Sequence, residues 1–170
     1  MNRISILDKF STMFPVVKTV NLAYNMIKDF PHPLSESIIE LDLTGNEIET
    51  FTEEIRHLTN LQMLDISHNN LTEIPELPKS LKKIYANNNK INKIADAEMP
   101  ALEYAIFSCN ELESLPKFTN HVSPSLFFSH NKIKLITLDM MIRPVEQLNL
   151  SDNEITEIPV ELFKMPRLRI

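Results

Sequence analysis

The apolar positions of this chain obey one short rule, repeated. Over three residues they alternate with polar ones, as in Leu64, Asp65 and Ile66; an asparagine follows, and further apolar residues stand two and five places beyond it. Alternation at period two predicts a strand with one buried face. The rule recurs in phase from end to end. Aligned on Asn25, Asn46, Asn69, Asn89, Asn110, Asn131 and Asn153, the copies are spaced by 21, 23, 20, 21, 21 and 22 residues. The clearest copy reads Leu61, Leu64, Ile66, Asn69, Leu71, Ile74, Pro75, and its last counterpart reads Val145, Leu148, Leu150, Asn153, Ile155, Ile158, Pro159. The sixth is the poorest, with Ser123 at its first apolar place. One such unit cannot bury its apolar edge alone. Neighbours stacked in a parallel sheet, about 4.8 Å apart, merge the edges into one core. The asparagines then fall in register where each strand turns inward. Their amides can both donate to and accept from the backbone groups that the turn leaves unpaired, so the column is read as a structural ladder.

The segments between copies differ in kind. Residues 51–61 and 159–166 suit a short helical turn, whereas 75–81, with Pro75 and Pro78, is too short and stiff for one and should run extended. Ile4, Leu7, Phe10 and Phe14 recur at helical spacing, which predicts an amphipathic cap within residues 1–16 that covers the first repeat. A membrane-surface helix is the rival, and Asp8 beside Lys9 is a poor polar face for anionic lipid. Seven repeats occupy 17–164. Met165, Pro166, Arg167 and Leu168 then repeat the pattern of Met99, Pro100, Ala101 and Leu102, so 165–170 read as the start of an incomplete eighth repeat. The expectation is a fragment of a longer protein, or an open end covered by further repeats or a partner.

The copies spell LxxLxLxxNxIxxIP, which resembles the leucine-rich repeat family over roughly residues 17 to 168. The resemblance implies an α/β solenoid: a horseshoe with a concave parallel β-sheet, about seven repeats, and mixed helical and extended convex segments. The stretch IPELPKSLKKI is similar to the short repeats of bacterial leucine-rich effectors that act inside host cells. The isoleucine-rich NxIxxI turns look equally like intracellular regulatory repeats of eukaryotes. What the family implies of function is protein binding without catalysis. The alternative it implies is a targeting or regulatory array of a larger signalling enzyme: a phosphatase, kinase or ubiquitin ligase.

Composition removes several chemistries. The single glycine excludes GxGxxG and GxxxxGK[ST] phosphate loops, and the single cysteine, Cys109, excludes an intramolecular disulfide or a zinc site built on paired cysteines. A net charge of −6 weighs against nucleic acid as a partner. There is no apolar run of about 18 residues that would span a membrane. The N-terminal MNRISILDKFSTMFPVV is too interrupted for a signal peptide. The expected compartment is therefore the cytoplasm, or the host cytosol for a bacterial effector, and no cofactor is expected. His68 and His130 precede the asparagine in repeats three and six, roughly 14 Å apart by strand spacing, too far to share a metal ion. Cys109 is one repeat from His130, but nothing orients such a dyad, and a plain, partly exposed thiol is expected. The triplets beginning at Asn70 and Asn149 are glycosylation sequons, read as accidental without a secretory signal.

Binding remains, because the repeat fixes which residues face outward. The central concave column reads Asn21, Asp42, Asp65, Tyr85, Ile106, Phe127, Asn149. Two places earlier stand Thr19, Glu40, Met63, Lys83, Tyr104, Ser125 and Gln147; two places later stand Ala23, Thr44, Ser67, Asn87, Ser108, Ser129 and Ser151. An acidic stretch of Glu40, Asp42 and Asp65 thus precedes an apolar stretch of Tyr85, Tyr104, Ile106 and Phe127, with Met63 and Lys83 between. A contiguous apolar patch on solvent-facing positions marks an interaction site, and tyrosine is enriched in hot spots. Two plainer readings compete: strand propensity alone, or a sixth repeat displaced by one residue, which would turn Phe127 inward. The expectation is a protein ligand anchored on Tyr85, Tyr104, Ile106 and Phe127. Met63 and Lys83 would complete that surface, with the acidic residues orienting a basic segment of the ligand.

Overall fold

The structure is a computed structural model that describes residues 3–5, 14–30, 33–119, 124–137 and 145–164. Each copy of the repeat contributes one three-residue strand. These are β1 (Thr19–Asn21), β2 (Glu40–Asp42), β3 (Met63–Asp65), β5 (Lys83–Tyr85), β8 (Tyr104–Ile106), β10 (Ser125–Phe127) and β11 (Gln147–Asn149). They form one seven-stranded sheet in the order β1-β2-β3-β5-β8-β10-β11, and every pairing is parallel. The middle residue of each strand (Val20, Leu41, Leu64, Ile84, Ala105, Leu126, Leu148) is buried, and its neighbours face the concave side. Behind the sheet lies a continuous core in which Phe107 stacks on Phe128 with ring centroids 5.5 Å apart. The expected solenoid therefore forms.

The asparagines run through this core as a ladder. Asn110 donates Nδ2 to the carbonyls of Phe107 (3.0 Å) in its own repeat and Ala86 (2.9 Å) in the one before, while its Oδ1 accepts the Ile91 N–H at 3.0 Å. Asn46, Asn69, Asn89, Asn131 and Asn153 repeat the pattern. At the start of the array Asn25 Oδ1 takes the N–H of Ile4 at 3.1 Å, and the Ile4 carbonyl accepts from Met26. Residues 3–5 are thus not helical, whereas the cap reading expected a helix there. Ile4 occupies the place that Ile27 holds beside Asn46, because the first asparagine needs a backbone donor. Phe14 is 47% exposed. Leu7, Phe10 and residues 165–170 lie outside the described residues.

On the convex side the segments at 51–61 and 159–166 hold 3-10 helices, Glu53–His57 and Val160–Lys164, which bury Ile55 and Leu162. Residues 75–81 run without a helix and bury Leu77. The sequence reading missed a second edge of pairing past the asparagines. There β4 (Glu73–Ile74) pairs with β6 (Lys93–Ile94), and β7 (Ala97–Glu98) with β9 (Phe118–Thr119), all parallel.

Candidate functional site

The strand just before each ladder asparagine must turn sharply inward. In every repeat the residue preceding the asparagine adopts a left-handed backbone: Tyr24, Gly45, His68, Asn88, Cys109, His130 and Asp152, with φ between 54° and 66°. This conformation is disfavoured for residues that carry a Cβ, by roughly 1–2 kcal/mol. The chain's one glycine sits here for a second reason as well. A Cβ on Gly45 would come within 2.7 Å of the Tyr24 ring. The column that holds His68, Cys109 and His130 is therefore a turn column. His130 reaches Asp152 of the next repeat (Nε2 to Oδ2, 3.4 Å), and no hydrogen bond joins it to the exposed Cys109 among the described residues. Nor do the described residues hold a group of three or more His, Cys, Asp or Glu suited to a metal ion.

The same inward turn shapes the concave face. The three outward columns lie in strict register, Asp65 beside Tyr85, Tyr85 beside Ile106, and Ile106 beside Phe127. Tyr85, Tyr104, Ile106 and Phe127 are half-buried, between the buried Ile84, Ala86, Ala105, Phe107, Leu126 and Phe128. Repeat six is therefore not displaced, and Phe127 faces outward. Tyr104, in the neighbouring column, bridges the patch: its ring centroid lies 5.7 Å from Tyr85 and 5.1 Å from Phe127, both tilted. Such aromatic pairs contribute about 0.5–1.5 kcal/mol beyond their area, so the patch is ordered before anything binds. Met63 is half-buried beside it and Lys83 exposed.

On the N-terminal side the column is polar and self-bonded. Asn21 donates Nδ2 to Asp42 Oδ2 at 2.9 Å, and the Thr19 hydroxyl lies 3.5 Å from Glu40. Each side chain also closes its own turn. The N–H two residues on is accepted by Asn21 Oδ1 from Ala23 (3.1 Å), by Asp42 from Thr44 (3.0 Å), by Asp65 from Ser67 (2.9 Å) and, in the last repeat, by Asn149 from Ser151 (3.0 Å). Tyr85, Ile106 and Phe127 offer no such oxygen, and the N–H groups of Asn87, Ser108 and Ser129 have no partner among the described residues. This gap was missed in the columns, although the change from Asn and Asp to Tyr, Ile and Phe is its signal. Beside it the Ser129 hydroxyl bonds that of Ser108 at 2.9 Å, and the Ser67 hydroxyl bonds Asn87 Oδ1 at 2.8 Å.

Charged pairs sit away from the patch and are exposed. Lys132 bonds Glu111, which holds that carboxyl below the usual carboxylate range and raises the lysine; Glu98 raises Lys79 in the same way.

Comparison with known proteins agrees with this geometry. Leucine rich repeat models match residues 15–71 and 145–165, and a two-copy model, Leucine Rich repeats, matches 59–99. Lumican of Bos taurus is 28% identical over 179 residues, covering 86% of this chain and 52% of lumican. The chain spans about half the length of that relative. Two solved structures share the fold. A leucine-rich repeat protein of Leptospira interrogans superposes with a TM-score of 0.75 at 23% identity, over 99% of this chain and 45% of that one. A Shigella effector leucine-rich repeat domain superposes at 0.65 and 24% identity, over 87% of this chain and 65% of the other. Among the described residues no helix is long and apolar enough to cross a membrane.

Proposed function

The chain belongs to the leucine-rich repeat family, and we propose that it is a protein-interaction module without catalysis of its own, taking a protein ligand on the concave face across β3 to β10. The observation that carries this is the pre-ordered ring patch. Tyr104 touches both Tyr85 and Phe127 on the outward side of the sheet, where strand positions are ordinarily polar. Aromatic side chains held in place lose little freedom on binding, which is what a hot spot requires. The neighbouring Glu40, Asp42 and Asp65 favour a ligand with a basic stretch. A footprint across three to five strands buries on the order of 800 Å² per partner. The absence of paired cysteines supports a reducing compartment such as the cytoplasm.

The test is affinity capture from cytosolic lysate with wild type and with Tyr85→Ser, Ile106→Ser and Phe127→Ser combined, circular dichroism confirming that the variant is folded. A protein retained by wild type and lost by the variant supports the reading. If both retain the same proteins, the patch is only strand-forming residues and the reading fails.

A further inference from the structure

We infer that the ligand of the concave face presents a carboxylate, from an aspartate or glutamate, to the row of backbone N–H groups of Asn87, Ser108 and Ser129, centred on that of Ser108. The inference rests on the reading of that face as a docking surface and says what chemistry the partner brings.

Seven repeats make the same inward turn. In four the chain supplies an oxygen for the N–H that the turn exposes, and in the three consecutive repeats that carry the apolar patch it does not. The three open donors therefore form a row on neighbouring strands, about 4.8 Å apart. They lie beside the rings that a ligand would cover. Water serves them while the face is bare. Once a ligand excludes that water, each unsatisfied donor costs about 1–3 kcal/mol, so a purely apolar ligand is disfavoured. A row of unpaired amide donors also carries positive potential that favours an anion.

The protein's own solution names the acceptor. At the two repeats just before the patch, the turn is closed by the carboxylates of Asp42 and Asp65. A ligand carboxylate would supply the same bond from outside, and bonds to a charged oxygen are about twice as strong as neutral ones. Those two aspartates also set the ligand's direction, since they repel a carboxylate and attract a base. The distance from β2 to β8 is three strand spacings, about 14 Å, or roughly four residues of extended chain. The fitting segment thus has Lys or Arg at one end, apolar side chains in the middle, and Asp or Glu about four residues from the base. A second copy of this chain, with its charge of −6, suits the basic end poorly.

The test uses sodium acetate as the simplest carboxylate, followed by amide-resolved NMR of isotope-labelled protein, with sodium chloride at matched ionic strength as control. The amide protons of Asn87, Ser108 and Ser129 should move downfield with acetate and not with chloride. Those of Ala23, Thr44, Ser67 and Ser151, already occupied, should stay put. Ile106→Asp, which supplies the missing oxygen within the chain, should silence Ser108 alone. A synthetic peptide with Arg and Asp four residues apart around apolar residues should bind roughly ten-fold tighter than its Asp→Asn analogue. The inference is overturned if the three amides respond no more than the four, if Ile106→Asp leaves the Ser108 response intact, or if the two peptides bind equally. Should the amides respond while the triple serine variant keeps every captured protein, the carboxylate site stands and the docking reading is what fails.

Discussion

In β1, β2 and β3 the central concave residue is Asn21, Asp42 or Asp65, and its side-chain oxygen closes the turn two residues on. In β5, β8 and β10 it is Tyr85, Ile106 or Phe127, and the same turn is left open beside a cluster of touching rings. The two regions share sheet, register, core and ladder. On the concave side they differ in what faces outward. The comparison teaches that a repeat can separate the demands of folding from those of recognition. The buried columns are held nearly constant because each copy needs them to bury its neighbour, and the outward column is free to change. Where it stays polar the backbone is complete in itself, and where it turns apolar the surface is unfinished.

The sharpest way to break the comparison is to cut the ladder in both halves. Asn46→Ala and Asn110→Ala each remove one amide that serves carbonyls in two repeats and a backbone N–H, all within the core. Leaving several buried groups unpaired should cost about 4 kcal/mol in chemical denaturation. The two values should agree within about 1 kcal/mol, since contributions of single interactions vary with context. A large gap would mean that the halves differ below the surface as well.

Next in size is Gly45→Ala, expected to cost about 2 kcal/mol from left-handed strain together with crowding of the Tyr24 ring. Cys109→Gly, the mirror experiment in the apolar half, should be near neutral. It relieves strain at φ 58° and adds freedom to the unfolded chain in similar measure. Denaturation midpoints of the two variants check this.

A third pair tests the turn closure itself. Asp42→Ala loses the oxygen that accepts the Thr44 N–H and should cost about 1 kcal/mol. Ile106→Asp gains the equivalent oxygen while losing strand propensity, and should leave stability within about 0.5 kcal/mol. Equal losses at both positions would contradict the division of the face.

The smallest effect belongs to Glu111 and Lys132. The lysine's hydrogen bond keeps the folded carboxyl below its ordinary value, so what the pair lends to stability is complete above that ordinary value. It is lost as pH falls through the lowered one. Both side chains are half in water, so Glu111→Gln should leave the melting midpoint at neutral pH unresolved from wild type.

Much of this was legible from the residues alone, because a period of about 21 with two apolar steps on either side of an asparagine admits one stacking. The register that sets Asp65 beside Tyr85 and Ile106 beside Phe127 follows from counting. Three features did not follow. The second edge, where β4 meets β6 and β7 meets β9, depends on how two-residue segments of unlike sequence come level after turns of unequal length. The left-handed column hides behind Tyr24 and Cys109, types that seldom adopt it, whereas Gly45, His68, Asn88, His130 and Asp152 hint at it. At the N-terminus the helical spacing of Ile4 was outweighed, over residues 3–5, by the first asparagine's demand for a backbone donor. In each case a backbone requirement overrode what side-chain type suggested.

The measurement that bears most directly on the divided face is residue-resolved amide hydrogen exchange of the free protein, corrected for intrinsic rates, at the seven turn positions. The amides of Ala23, Thr44, Ser67 and Ser151 should exchange roughly five-fold or more slowly than those of Asn87, Ser108 and Ser129, the ratio that a hydrogen bond of about 1 kcal/mol implies. Seven amides exchanging at one common rate would contradict the account, because the apolar half would then hold no open donors to offer a ligand.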